Sequence, residues 1–164
     1  MSKITTRPVT QENWRAALAL DVRPDQRNFT PTVAISLAKA YIQPDGAVYD
    51  PIAIYASKVM VGFYSFIYIP SDPRFIYLGG FLIDKAYQGR GYGRAALADF
   101  LETVKRNYPQ CSEVLLTVHP QNQVAQGLYQ SVGFVKTDYA IDGEEVMRLV
   151  ITKQSPFQTH EANR

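Results

Sequence analysis

The chain has 164 residues, 46% of them hydrophobic and 20% charged, a size and composition that fold as one domain and bury a core without help from disulfides or metal. Seventeen Lys and Arg against fifteen Asp and Glu leave a formal charge of +2, scattered along the chain, which excludes the concentrated basic face that nucleic acid needs. Cys111 is the only cysteine, and His119 and His160 lie far apart in sequence, so an internal disulfide, a zinc site and a histidine triad are all poorly supplied and no metal is expected.

In chain order, a first strand over Ile4 to Pro8 leads into a helix that Thr10 caps, with Trp14, Ala17, Leu18 and Asp21 marking its turns. Thr30 and Pro31 open a second helix, on which Val33, Leu37 and Tyr41 share a face. Residues 48 to 56 and 59 to 69, rich in Ile, Val, Tyr and Phe, read as a hairpin around Ser57 and Lys58. The longer of them falls well short of the roughly 18 apolar residues of a membrane span. Arg74 to Asp84 forms a further strand, where Gly79 and Gly80 signal a bulge or a close backbone approach. A helix from Gly91 to Asn107 follows, with Ala95, Leu97, Ala98, Leu101 and Val104 as its apolar face, and Pro109 ends it.

Glu113 to His119 is a compact buried strand, and Pro120 to Asn122 starts a helix that carries Ala125, Leu128 and Tyr129 and stops at Gly133. Strands at Phe134 to Ile141 and Glu145 to Thr152 join through Asp142-Gly143, a strong hairpin signal. The predicted architecture is α+β: a mostly antiparallel sheet with one parallel pair and flanking helices, in a single domain over residues 1–153 with a polar tail at 154–164. The first ten residues carry no signal-peptide core, which points to the cytoplasm and away from membranes.

Chemistry concentrates between Leu82 and Leu97, LIDKAYQGRGYGRAAL, where Gly89, Gly91 and Gly93 separate a strand from a helix. Such a loop points successive N–H groups at one spot, and the helix N-terminus behind it adds positive potential, so the pair suits a pyrophosphate. The spelling is G-x-G-x-G, without the G-x-G-x-x-G of dinucleotide sites, and no G-K-[S/T] follows. The same segment also reads as an ordinary glycine turn.

The sequence here resembles the GNAT superfamily of acetyl-CoA dependent N-acetyltransferases, and within it most nearly the bacterial diamine, spermine and spermidine acetyltransferases. The family signature Q/R-x-x-G-x-G/A is matched by Gln88, Gly91 and Gly93, with Arg90 and Arg94 interleaved. A second family segment is matched by Asn122, Ala125, Leu128, Tyr129, Gly133 and Phe134. The resemblance implies acetyl-CoA as the donor, bound by the loop Gln88, Gly89, Arg90, Gly91, Tyr92, Gly93 and Arg94 and by Asn122. Backbone groups of Phe81, Leu82 and Ile83 would pair with the pantetheine arm as an added strand, and one of their amides would stabilise the oxyanion. It further implies direct transfer to an amine with Tyr129 as general acid toward the departing thiolate, although spacing alone, beside Ala125 and Leu128, favours a core tyrosine at this position. Cys111 stays passive on this reading.

An alkylammonium has a pKa of about 10.4 and must lose a proton before it attacks. Many family members hold an acid on the central strand, where this chain has Tyr77, Leu78, Gly79 and Gly80. Asp84 suits the turn, while Asp21, Asp25, Glu144 and Glu145 remain as candidates from the variable elements. For a polyamine, Asp21, Asp25, Phe29, Tyr49 and Glu144 supply the carboxylates and aromatics that separated ammonium groups require. A protein N-terminus or lysine, an amino acid, an aminoglycoside, and a sensor that binds acetyl-CoA without turnover remain open. A homodimer through the C-terminal strand and the aromatic group Tyr64, Phe66 and Tyr68 is a further expectation.

Overall fold

The computed structural model describes residues 3–152, and the expected tail at 154–164 lies outside the described residues. The chain runs through β1 (Ile4–Pro8), α1 (Trp14–Ala19), α2 (Val33–Ile42), β2 (Val48–Ala56), β3 (Val59–Ile69) and β4 (Asp72–Ile83). It continues through α3 (Tyr92–Asn107), β5 (Glu113–Val118), α4 (Gln123–Ser131), β6 (Val135–Ile141) and β7 (Glu144–Val150). Tight hairpins hold β2 against β3 and β6 against β7; Asp142 and Gly143 take φ of 50° and 82°, the left-handed pair that matches strand twist. The crossover through α3 makes β4 and β5 parallel. One sheet results among the described residues, ordered β1-β2-β3-β4-β5-β7-β6, so the α+β expectation holds.

Strand alternation feeds two cores. On one face Tyr64, Phe66, Ile76 and Leu78 pack with Leu97, Phe100, Leu101 and Val104 of α3 and with Tyr129 of α4. On the other, Phe63 and Leu82 pack with Ala17 of α1 and Val33 of α2. Tyr64 and Phe66, expected in a dimer surface, are therefore core: Phe100 sits 5.5 and 5.4 Å from their rings, and they are 3% and 5% exposed.

Other details differ from the sequence pattern for local reasons. The buried stripe of α3 is Ala96, Leu97, Phe100, Leu101 and Val104, because the large Phe100 turns inward and leaves Ala95 and Ala98 to the sides. On α2 the stripe follows Val33, Ser36 and Leu37, so Tyr41, one residue off it, is 91% exposed. Leu18 is likewise exposed on the short α1. Asn13 rather than Thr10 precedes α1. Thr32 rather than Thr30 caps α2, accepting from the Ile35 amide at 3.4 Å, and the Thr30 hydroxyl is left buried with no partner among the described residues.

Candidate active site

Two irregularities in β4 build the site. Parallel pairing with β5 covers only Phe75–Tyr77 against Glu113–Leu115, and beyond it the two strands part. Against β3, the register steps from Phe63↔Leu82 to Ser65↔Gly79, two residues on β3 for three on β4. This is a bulge at Gly80, whose φ of 56° suits glycine and whose missing Cβ would lie 2.8 Å from Ser36 Oγ. The extra residue inverts the alternation, so that Leu78 and Phe81 face α3 and α4 while Leu82 faces α1 and α2.

Backbone directions follow from the same register. The Asp84 amide donates to Val61 O at 2.8 Å, so Asp84 and, by alternation, Leu82 direct their backbone groups at β3. Phe81 and Ile83 direct theirs at the opening between β4 and β5. Leu82, expected to share in binding an added strand, lies in the cavity floor but turns its carbonyl to Gly62 and buries its side chain on the face of α1 and α2. Ile83 O accepts from Gln88 Nε2 at 2.9 Å, which ties the glycine loop to this edge.

A cavity of about 540 Å³ fills the opening. Its floor is Gly79 to Ile83, one wall is the loop through Gln88, Gly89 and Gly91 with Tyr92, Gly93 and Arg94 in the first turn of α3, and the other is Asn122, Ala125, Leu128 and Tyr129 at and along α4. Gly91 takes φ 81° at the N-cap of the sixteen-residue α3, where a Cβ would be strained even though space is open. At Gly93 a Cβ would lie 3.3 Å from Leu128, so this glycine lets α3 close on α4. Asn122 caps α4, its Oδ1 accepting from the Ala125 amide at 3.2 Å.

Tyr129 packs 6.3 Å from the Phe81 ring and 5.9 Å from Phe134, ring centre to ring centre, and is 6% exposed while lining the cavity. Burial raises the pKa of its phenol, with a smaller push from the Glu144 carboxylate, so its proton is held at neutral pH. Glu144 and Thr117 line the cavity beside it, and Thr117 Oγ1 donates to Glu144 Oε2 at 2.6 Å. The segment after α1 crosses the opening at two points. Gln26 and Gln88 exchange amide hydrogen bonds at 3.2 and 2.9 Å, and the Phe29 ring lies 5.1 Å from the His119 ring.

Several expected site residues fall elsewhere. Asp21 is held by Lys85 at 2.9 Å and Arg27 at 3.3 Å, which lowers its pKa, led by the Lys85 bond. Asp25 pairs with Arg23 at 3.6 Å. Tyr49 lies opposite Ile67 on β3, outside the lining, its pKa raised by burial and then by Asp45. Arg90 donates to Ala86 O at 3.1 Å and lies over the Tyr87 ring, closing its own turn rather than the cavity. Asp84 serves the turn as expected, accepting from the amides of Ala86 and Asp21. Cys111 is buried, and burial raises its thiol pKa. The cavity also takes in Gln26 and Thr117, which are not among the sequence candidates: Thr117 stands out as the polar residue within EVLLTVH, while nothing local marks Gln26.

A model of the acetyltransferase (GNAT) family matches residues 10–134. The chain belongs to the GNAT acetyltransferase family. It is thus an acetyl-CoA dependent N-acetyltransferase. A probable spermine N(1)-acetyltransferase of Bacillus subtilis subsp. natto (strain BEST195) is 29% identical over 150 residues, 88% of this chain and 96% of that protein. The spermine/spermidine N(1)-acetyltransferase of Bacillus subtilis (strain 168) is 28% identical over the same shares. Spermidine N-acetyltransferase from Vibrio cholerae in complex with CoA and spermine superposes at TM-score 0.68 and 19% identity, covering 92% of this chain and 96% of that one. The ribosomal-protein-S18-alanine N-acetyltransferase of Escherichia coli gives 0.67 at 21%, covering 94% and 98%. This acetyltransferase shares its fold with enzymes named for different acceptors, so the fold does not choose the amine.

The cavity residues fit the donor. Two positive-φ glycines and a helix N-terminus make the kind of concave, amide-lined turn that a diphosphate requires, and Arg94 adds charge at its wall. The unpaired edge of β4 beyond Tyr77 offers the amides and carbonyls of Phe81 and Ile83 to an extended chain. Among the described residues no helix is long and apolar enough to cross a membrane.

Proposed function

We propose that this acetyltransferase modifies a primary amino group of a polyamine or diamine of the spermine and spermidine class. The observation that carries this reading is the crossing of the opening by residues 26–29, through Gln26–Gln88 and Phe29–His119. A folded protein or peptide acceptor needs an open groove, whereas a slender aliphatic amine enters a bridged cavity. Among the described residues Glu144 is the one carboxylate in the lining and gives an ammonium its counter-charge, and the two relatives named for spermine support the same class. With Asp21 and Asp25 neutralised by neighbours, recognition rests on Glu144 and Phe29 rather than on an acidic cluster.

Acetyl-CoA supplies the acetyl group as an activated thioester. On this proposal the amides of residues 89–93 bind its diphosphate, and the backbones of Phe81 and Ile83 orient its arm and polarise the acetyl carbonyl. Tyr129 gives a proton to the departing sulfur. Its raised pKa keeps that proton in place, and the desolvation that raises it also makes a thiolate in the same cavity a stronger base. A cytoplasmic setting and a single domain spanning residues 1–153 belong to the same reading. Release of coenzyme A thiol with spermidine, spermine and butane-1,4-diamine, against peptides bearing a free N-terminus or lysine, tests it. The polyamines are expected to lead on kcat/KM by at least about tenfold, the discrimination that a single well-placed charged hydrogen bond provides. Faster peptides would overturn the substrate class.

A further inference from the structure

We propose that Glu144, acting through the hydroxyl of Thr117, takes the proton that the attacking ammonium must lose. The inference rests on acetyl transfer to an alkylamine and does not depend on the amine being a polyamine. Glu144 opens β7 immediately after the Asp142-Gly143 turn, and Thr117 lies near the end of β5, paired with Val146. The register brings the Glu144 carboxylate over the end of β5, where Thr117 Oγ1 donates to it at 2.6 Å. A hydroxyl whose proton is committed to a carboxylate presents only lone pairs elsewhere, so Thr117 accepts from an incoming N–H.

The other carboxylates near the opening are already engaged: Asp21 by Lys85 and Arg27, Asp25 by Arg23, and Asp84 by two backbone amides. Glu145, next in sequence, is paired with Lys136 at 3.0 Å. Glu144 lines the cavity and forms no ion pair among the described residues, so the cation that completes it is an ammonium in the cavity. The titratable and charged groups around it are Tyr129 on α4, Glu145 with Lys136 of β6, His119 two residues beyond Thr117, and Arg23 and Arg94 at the cavity wall.

The step balances. The ammonium passes a proton to Thr117 Oγ1 as the Thr117 proton moves to Glu144 Oε2. The freed lone pair forms the C–N bond to the acetyl carbon, and the C–S bond breaks with its electrons on sulfur. Sulfur takes the Tyr129 proton, and the second proton lost by nitrogen restores Tyr129. The first leaves Glu144 for solvent. Because the Glu144 charge helps Tyr129 hold its proton, neutralising that charge strengthens Tyr129 as an acid just before sulfur departs.

Glu144→Gln, Thr117→Val and Glu144→Asp are compared with the unmodified protein, using ethylamine and its weakly basic analogue trifluoroethylamine, which is already neutral at pH 7. Glu144→Gln is expected to lower kcat/KM for ethylamine by about 10²-fold or more, the usual yield of positioned acid–base help, and to move the acidic limb of the pH profile upward. Little change is expected with trifluoroethylamine. Thr117→Val should show the same selectivity to a smaller degree, and Glu144→Asp partial recovery. Chemical-shift titration of the donor-free protein with ethylammonium chloride supplies a second readout, in which Glu144→Gln weakens binding by roughly tenfold. Equal losses toward both amines, no loss toward either, or unchanged ethylammonium binding would overturn the proposal. The polyamine reading is judged separately, by the preference of the unmodified protein for spermidine over ethylamine.

Discussion

Alanine at Gly62, which does not line the cavity, perturbs the site through the strand that forms its floor. A Cβ there would lie 2.5 Å from the Leu82 carbonyl oxygen and 2.8 Å from Ile83 Cδ1, both inside van der Waals contact. The second clash is soft, since a terminal methyl can rotate away. The first is a rigid Cβ against a backbone carbonyl within the β3–β4 pairing, and only separation of the strands relieves it. Overpacking of this kind costs about 1–3 kcal/mol, and a disturbed ladder hydrogen bond adds about 1. Lower chain entropy in the unfolded state returns about 0.4–1 kcal/mol. The net loss is about 1–3.6 kcal/mol, or a Tm lower by roughly 3–12 °C for a chain of this size. Leu82 sits between Phe81 and Ile83, so the shift also misplaces the edge that faces the cavity, and acetyl-CoA should bind on the order of tenfold more weakly. Urea unfolding and calorimetric titration with coenzyme A measure the two effects. Wild-type stability, or full rescue by adding Ile83→Val, would refute the reasoning, because trimming that methyl cannot relieve the carbonyl.

Tyr129→Phe keeps the ring against Phe81 and Phe134, so acetyl-CoA affinity should stay within about twofold while kcat falls about 10²-fold or more; unchanged turnover removes Tyr129 from the chemistry. Burial raises the pKa of Tyr129 and Tyr64 in the folded protein, so the unfolded chain releases these protons first and stability falls as pH rises above about 10. Unfolding midpoints across that range should fall less steeply for Tyr129→Phe than for the unmodified protein. Gln26→Leu breaks the reciprocal amide pair with Gln88, worth about 1 kcal/mol, and should raise KM for both acetyl-CoA and the amine by roughly fivefold. An unchanged amine KM would show that the bridge does not shape the acceptor side.

The donor side was legible in sequence because its chemistry is local. Gly89, Gly91 and Gly93 lie within one loop and the first helical turn it opens, and Asn122 caps the helix that carries Tyr129 two turns on. The paired glycines at 79 and 80 announced an irregularity, but its consequence, the reversal that removes Leu82 and leaves Phe81 and Ile83, depends on register with β3. The acceptor side was poorly legible because its residues are sorted by partners distant in sequence. Asp21 reads as a free carboxylate until Lys85 folds against it, and Tyr49 as a cavity aromatic until it is placed opposite Ile67. Glu144 and Thr117, 27 residues apart, become a pair only through the β5–β7 register. Tyr64 and Phe66 read as surface aromatics until Phe100 covers them.

Following a carbon-13 acetyl label from acetyl-CoA in the presence of spermidine, by NMR and by mass spectrometry of the protein, tests acetyl transfer in this cavity most directly. The expected result is label on a primary nitrogen of spermidine, one coenzyme A thiol released for each acetamide formed, and no labelled protein. Label accumulating on Cys111, release as free acetate, or retention of intact acetyl-CoA without turnover would contradict direct transfer to an amine.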